Sequence, residues 1–294
     1  MKHFGIPEEK KSRVIINTDA KNEVDDQFAI VQAALSESMD IKAFIAAHFG
    51  TEKSPTSMRD SYEEIIHVLR LMGIEHEFRV LHGGERAMTS ETEIIESEGA
   101  RFIVEEAMKD DDRPLYIAFL GPLTDMAAAL LMEPRIAEQN ITVIWIGGRD
   151  WPSGGWEYNL QNDIISANVV FKSNVRLWQV PRNVYRMMPV SFAEMYDKVY
   201  PCGELGKYLV ENVVAFNNEG IERPKEHRGL GDSPAIGIIL FNDCGEWEYK
   251  PAPIFDEQMN YVHTGQYRPI RVYKNIDNRF ILEDLFAKIR HMND

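Results

Sequence analysis

The feature that most restricts how this chain can fold is the regular alternation, through its first half, of short apolar runs with segments of helical period. A short, continuously apolar run reads as a strand buried on both faces, and such strands belong to parallel sheets covered by helices. Arg13–Thr18 (RVIINT) is the first such strand, followed by a helix over Val24–Leu35. Ile41–His48 is the second, followed by an amphipathic helix over Ser57–Met72. The pattern continues with a short strand at Arg79–Leu81, a helix over Glu93–Lys109, a strand at Leu115–Leu120 and a helix at Leu123–Leu131. A strand at Ile141–Ile146, a helix starting near Asp163 and a strand at Val175–Val180 complete it. This alternation predicts an α/β fold, a mainly parallel sheet flanked by helices. From about Ser191 the chain reads as helix-rich. With no repeat, low-complexity stretch or long linker, residues 1–294 are expected to form a single domain.

Ligands of such sheets sit beyond the C-terminal ends of the strands, so functional residues should follow strands. The strongest signal does: Asn17-Thr18-Asp19-Ala20-Lys21-Asn22-Glu23-Val24-Asp25-Asp26 runs from the first strand into the first helix. Acids this dense repel one another unless positive charge lies among them, and a hard cation with oxygen ligands relieves the repulsion. Helix capping is the plainer explanation, but it accounts for one or two acids rather than the whole group. Leu120-Gly121-Pro122-Leu123-Thr124-Asp125 also follows a strand and places the Leu120 carbonyl in the same crevice, with Thr124 or Asp125 able to cap. Gly154–Asp163 combines Glu157 and Asn159, suited to hydroxyl groups, with the flat faces of Trp151, Trp156 and Tyr158. Gly231-Asp232-Ser233-Pro234 precedes an apolar helix, with Asp232 either its cap or a further carboxylate for the same cation.

Composition narrows the partners. Against 47 acidic side chains stand 32 basic ones, a net charge of −15, which repels nucleic-acid backbones and anionic membranes. A cation or a neutral polar molecule is the better fit. The two cysteines, Cys202 and Cys244, form no metal-binding spacing and read as reduced thiols. The N-terminus lacks an apolar signal core, and no run approaches the roughly 18 apolar residues of a membrane span, so the expected location is cytoplasmic.

Taken in order, NTDAKNEVDDQFAI, GPLTDMAAAL, VIWIGG (Val143–Gly148), WEYNLQND and GDSPA resemble the nucleoside hydrolase family over Val14 to about Leu240. The resemblance implies a Rossmann-like α/β fold, one bound Ca²⁺ (Mg²⁺ being the lesser alternative), and hydrolysis of the N-glycosidic bond of a ribonucleoside or related N-riboside. It implies Asp19, Asp26, the Leu120 carbonyl and Asp232 as metal ligands, with Asp19 also the general base that activates water at the metal. Asp25, Glu157 and Asn159 would hold the ribose, with His48 in the place of a ribose-binding asparagine, and an aromatic such as Trp156 could stack on the base in place of an acid. A homo-oligomer is likewise the expectation from the family.

The sequence departs from the family pattern at named places. Asn17 replaces the first Asp of Asp-x-Asp-x-x-x-Asp-Asp, and five residues rather than three separate Asp19 from Asp25. His48 stands for the usual Asn, and Gly231 stands where many members carry a His that protonates the leaving base. That acid is left unassigned, with His227 and Tyr158 as candidates. The same departure supports a second reading, a ribose- or nucleoside-binding protein without catalysis. A haloacid-dehalogenase-like phosphatase would need Asp at position 17, and no Gly-x-x-x-x-Gly-Lys-[Ser/Thr] motif supports a P-loop enzyme.

Overall fold

The first apolar run forms β1 (Ser12–Thr18), and the helices that follow decide on which side of it each later strand falls. In the computed structural model, which describes residues 4–219, 225–265 and 268–292, α1 (Asp26–Ala34) leads to β2 (Met39–Ala46) beside β1. From there α2 (Ser57–Leu71) leads to β3 (Val80–His82) on the outer side of β2. The chain then crosses back through α3 (Glu98–Ala107) to β4 (Leu115–Phe119), on the opposite flank of β1. Next, α4 (Thr124–Met132) connects to β5 (Ile141–Ile146), and α5 (Tyr158–Asn162) with α6 (Ile164–Lys172) connects to β6 (Leu177–Val180). All of these strands are parallel, in the order β3-β2-β1-β4-β5-β6. Because β2 and β4 flank β1 on opposite sides, the loops after β1 and β4 diverge and leave a crevice at their C-terminal ends.

Successive strand residues point to opposite faces, which splits the core in two. Val14, Ile16 and Phe44 pack with Phe28, Ile236 and Leu285 on one side. Ile15, Ile45 and Ile117 pack with Ile103, Met126 and Val170 on the other. Each fully buried side chain of this size contributes roughly 1.5–3 kcal/mol. The predicted elements reappear with shifted ends. The helix expected from Glu93 begins at Glu98, because Ser97 caps it by accepting the Ala100 amide at 2.8 Å.

The second half supplies α7 (Arg182–Tyr185), β7 (Pro189–Ser191), α8 (Phe192–Lys198), α9 (Gly203–Glu219), β8 (His227–Gly229) and α10 (Ser233–Leu240). It then adds β9 (Trp247–Pro251), β10 (Ile254–Phe255), β11 (Tyr261–Val262), β12 (Pro269–Tyr273) and α11 (Asn278–Arg290). The helix-rich pattern is there, but β12 joins β6 in parallel and β9 caps it in antiparallel, extending the sheet to eight strands. These two strands carry charge and proline rather than a continuous apolar run, which hid them. Their charge is accommodated: the Arg271 guanidinium lies between the rings of Trp178 and Trp247, at 3.8 and 3.9 Å from their centroids. Among the described residues no helix is long and apolar enough to cross a membrane.

Candidate active site

Asp19 follows β1 directly, Asp25 stands at the N-cap of α1, and Asp26 is that helix's first residue. Neither Asp25 nor Asp232, at the N-cap of α10, uses its side chain to cap. Capping therefore does not explain these acids. Instead, Asp25, Asp26 and Asp232 each present a carboxylate oxygen within 4.8 Å of the others, because α10 packs against α1. Asp19 lines the same pocket, about 50 Å³ in volume, but stands beside the tight trio. Asn22, from the longer turn, donates through Nδ2 to Asp19 Oδ2 at 2.9 Å, and Asp19 is the foremost of the neighbouring charges that raise Asp26.

All four carboxyls are buried, and among the described residues none is paired with a Lys, Arg or His side chain. Burial pushes Asp19 up to about 8, helped by repulsion from Glu23 and Asp25. Burial likewise pushes Asp25 up to about 8, with repulsion from Glu23 and Asp26 adding and the nearby Arg228 opposing. Asp26 and Asp232 are raised well above the usual range, by burial first and then by neighbouring carboxylates. Carboxylates in this state are held as anions only if positive charge enters among them. An all-oxygen set of this kind fits a hard divalent cation.

The neighbouring strand ends complete the wall. The Leu120 carbonyl, just past β4, accepts from Asn159 Nδ2 at 2.7 Å, and the same amide donates to the Ile146 carbonyl at 2.8 Å. With both amide hydrogens used, Asn159 has only Oδ1 left, as an acceptor for a ligand. Gly121 is required at its place: a Cβ there would stand 2.8 Å from Cγ of Asp19. Glu157 lines the pocket as well and does cap α5. Its Oε1 accepts from the Asn159 amide and the Tyr185 hydroxyl, at 3.2 and 2.9 Å, and its Oε2 from the Gly148 and Leu160 amides, at 2.9 and 3.0 Å.

A sequence profile of the inosine-uridine preferring nucleoside hydrolases matches residues 14–266. The chain belongs to the nucleoside hydrolase family. It is 24% identical over 248 residues to probable uridine nucleosidase 2 of Arabidopsis thaliana, an alignment covering 72% of this chain and 74% of that one. Its fold resembles that of a purine-preferring ribonucleoside hydrolase from Gardnerella vaginalis, with TM-score 0.79, 17% identity and coverage of 96% and 99% of the two chains. A plant nucleoside hydrolase gives TM-score 0.75 at 16% identity, covering 95% and 99%. The protein is thus a hydrolase acting on N-glycosyl compounds, of a metal-dependent family whose carboxylate cluster it retains.

The other residues to which the sequence points sit around this pocket or away from it. His48 is buried and does not line the pocket. Its Nδ1 accepts from the Gly50 amide at 3.2 Å and its Nε2 meets Thr124 Oγ1 at 2.9 Å, while Thr124 donates to Asp163 Oδ2 at 2.7 Å. Both ring nitrogens are committed to these neighbours, and burial lowers the ring's pKa to about 4, so it is neutral. Trp156 is 38% exposed and outside the pocket lining, its ring edge-on to Tyr158 at 4.3 Å. Tyr158 does line the pocket, whereas His227 lines only the adjoining outer cavity. Asn17 donates through Nδ2 to Asp125 Oδ2 at 2.8 Å, and α4 starts after Leu123 with no side-chain cap from Thr124 or Asp125.

Sequence reasoning missed Tyr185. Its ring fills the space beside Gly231, where an added Cβ would lie 3.1 Å from Tyr185 Cδ2 and 3.2 Å from Asp25 Oδ2. Tyr185 lies in α7, immediately after β6, so the strand-end rule applied to that strand would have found it.

Proposed function

We propose that this chain hydrolyses the N-glycosidic bond of a ribonucleoside or related N-riboside with Ca²⁺ as its cation. The observation that carries the reading is the convergence of Asp25, Asp26 and Asp232, uncompensated and buried, beside Asp19 at the point where the strand order reverses. Asp26, Asp232 and the Leu120 carbonyl would hold the ion, with Asp19 or Asp25 completing the set. Such an ion supplies Lewis acidity, lowering the pKa of water and ordering vicinal hydroxyls.

Asp19 takes the proton of the attacking water, since among the described residues its carboxylate accepts a side-chain hydrogen bond from Asn22 alone. Asn159 Oδ1 accepts a ribose hydroxyl. At Glu157 the Tyr185 phenol is the single side-chain donor of four, and so the one a ribose hydroxyl can replace. The surrounding negative charge stabilises the oxocarbenium-like ribose as the base departs. Tyr158, on the pocket wall, offers an aromatic face for the base. Ca²⁺ is favoured over Mg²⁺ because a flexible, carboxylate-rich shell suits the larger ion. The same reading takes the chain as one domain, supported by a sheet that draws strands from both halves.

The test is base release from a panel of purine and pyrimidine ribonucleosides, with Ca²⁺, after chelation, and after Ca²⁺ or Mg²⁺ is restored. Release that chelation abolishes and Ca²⁺ restores is the expected result. The second reading, ribose binding without hydrolysis, rests on Gly231 and predicts ribose binding with no base released from any member.

A further inference from the structure

Beyond the carboxylate pocket the cleft opens into a second cavity of about 330 Å³, and the two share Glu23, Asp25, Tyr158, Tyr185 and Gly231 as a common wall. The charge of the lining reverses there. Arg182, Arg186, Lys225 and Arg228 all face the outer cavity, against only two carboxylates, in a chain whose net charge is −15. Arg182 opens α7 and Arg186 closes it four residues later, a spacing that sets like charges side by side at a cost. Arg228 enters the same space from β8, which pairs antiparallel with β7 just beyond that turn. Glu23 is already taken, since it pairs with Arg228 at 2.6 Å. Among the described residues, Arg182, Arg186 and Lys225 have no carboxylate partner.

We propose that this outer cavity holds an anionic group, a phosphate or a carboxylate, carried by the N-riboside whose sugar occupies the carboxylate pocket. The substrate class is then narrowed to an anionic N-riboside, bound in preference to the neutral nucleoside, which rests on the hydrolytic reading for its sugar but not for its anion. Guanidinium groups match both anions with paired donors. The inner acids repel the same group, so the charge pattern also fixes which end of the substrate enters first.

Titration calorimetry on the full chain with Ca²⁺ tests this with two matched pairs: ribose 5-phosphate against ribose, and orotate against uracil. The first reports an anion on the sugar, the second an anion on the base. The expected result is that the anionic member of at least one pair binds about tenfold tighter or more. Arg182→Ala/Arg186→Ala should erase that preference and Arg182→Lys/Arg186→Lys should restore part of it. Neither arginine side chain bonds another described residue, so both variants should fold. Equal affinity within both pairs overturns the proposal, as does a preference that survives the alanine pair. None of the four ligands contains an N-glycosidic bond, so an anion preference without base release from uridine, orotidine or uridine 5′-monophosphate would count against hydrolysis alone.

Discussion

The Asp19 carboxylate accepts its side-chain hydrogen bond from within its own turn, from Asn22. On the proposed reading, removing it takes away the base and leaves the trio in place. Asp19→Ala should therefore lower base release by about 10²- to 10⁴-fold, the usual contribution of a positioned base, while the circular dichroism spectrum stays unchanged. Retention of most of the rate would remove Asp19 from the chemistry. Asn17 makes the opposite case, an amide serving structure. It donates to Asp125, which also accepts from Ser97 Oγ at 2.6 Å and the Gly84 amide at 2.9 Å. Asn17→Asp would place two carboxyls in contact, and burial already raises Asp125. The new carboxyl's folded pKa would lie above its unfolded value, so its penalty is absent at low pH and grows as pH rises. Urea denaturation should show a loss of roughly 3 kcal/mol at pH 8 and much less at pH 4. An equal loss at both pH values would contradict this account.

At the scale of elements, α10 delivers Asp232 to a cluster otherwise built from the loop after β1. It can do so because it packs closely on α1 and α11. Gly237 permits the second contact: a Cβ there would stand 2.4 Å from Ile281 Cγ1, and Ile281 is fully buried. Gly237→Ala gains helix propensity of just under about 1 kcal/mol but overpacks the interface at about 1–3 kcal/mol. The expected outcome is a net loss of stability together with weaker Ca²⁺ binding, read by denaturation and by metal titration. Weaker metal binding is the part a purely local packing defect would not give, so unchanged Ca²⁺ affinity would separate α10's position from the site.

For the whole molecule, the buried carboxyls couple metal, proton and stability. Asp19 and Asp25 rise from 3.8 to about 8 in the folded, metal-free chain. A raised folded pKa means that stability is fully present below about pH 4 and is lost as pH climbs toward 8. A cation reverses this by binding the ionised form, and at one hundred times its Kd it adds about 2.7 kcal/mol. The difference in Tm between Ca²⁺-loaded and chelated protein should therefore grow from pH 5 to pH 8, reaching roughly 5 °C or more. Taking the difference removes groups remote from the site, such as His48. A metal effect that is flat with pH, or absent, would mean that these acids do not share an ion.

What the sequence determined by itself was local. Apolar runs of strand length alternating with helical segments require a parallel, helix-covered sheet, and chain order then puts Asp19, Leu120 and Glu157 after strands that become neighbours. Burial makes these signals legible, since a strand hidden on both faces has to show it in its own residues. The tertiary structure decided whatever depends on distance between remote residues. It drew Asp25, Asp26 and Asp232 together, bonded Asp19 to Asn22, and gave His48 to Thr124. It put the Tyr185 ring beside Gly231 and gathered Arg182, Arg186 and Arg228 around one cavity. Side chains of such different origin meet only because helices pack at fixed separations, and packing distances of a few ångströms are not written in the spacing of residues along the chain.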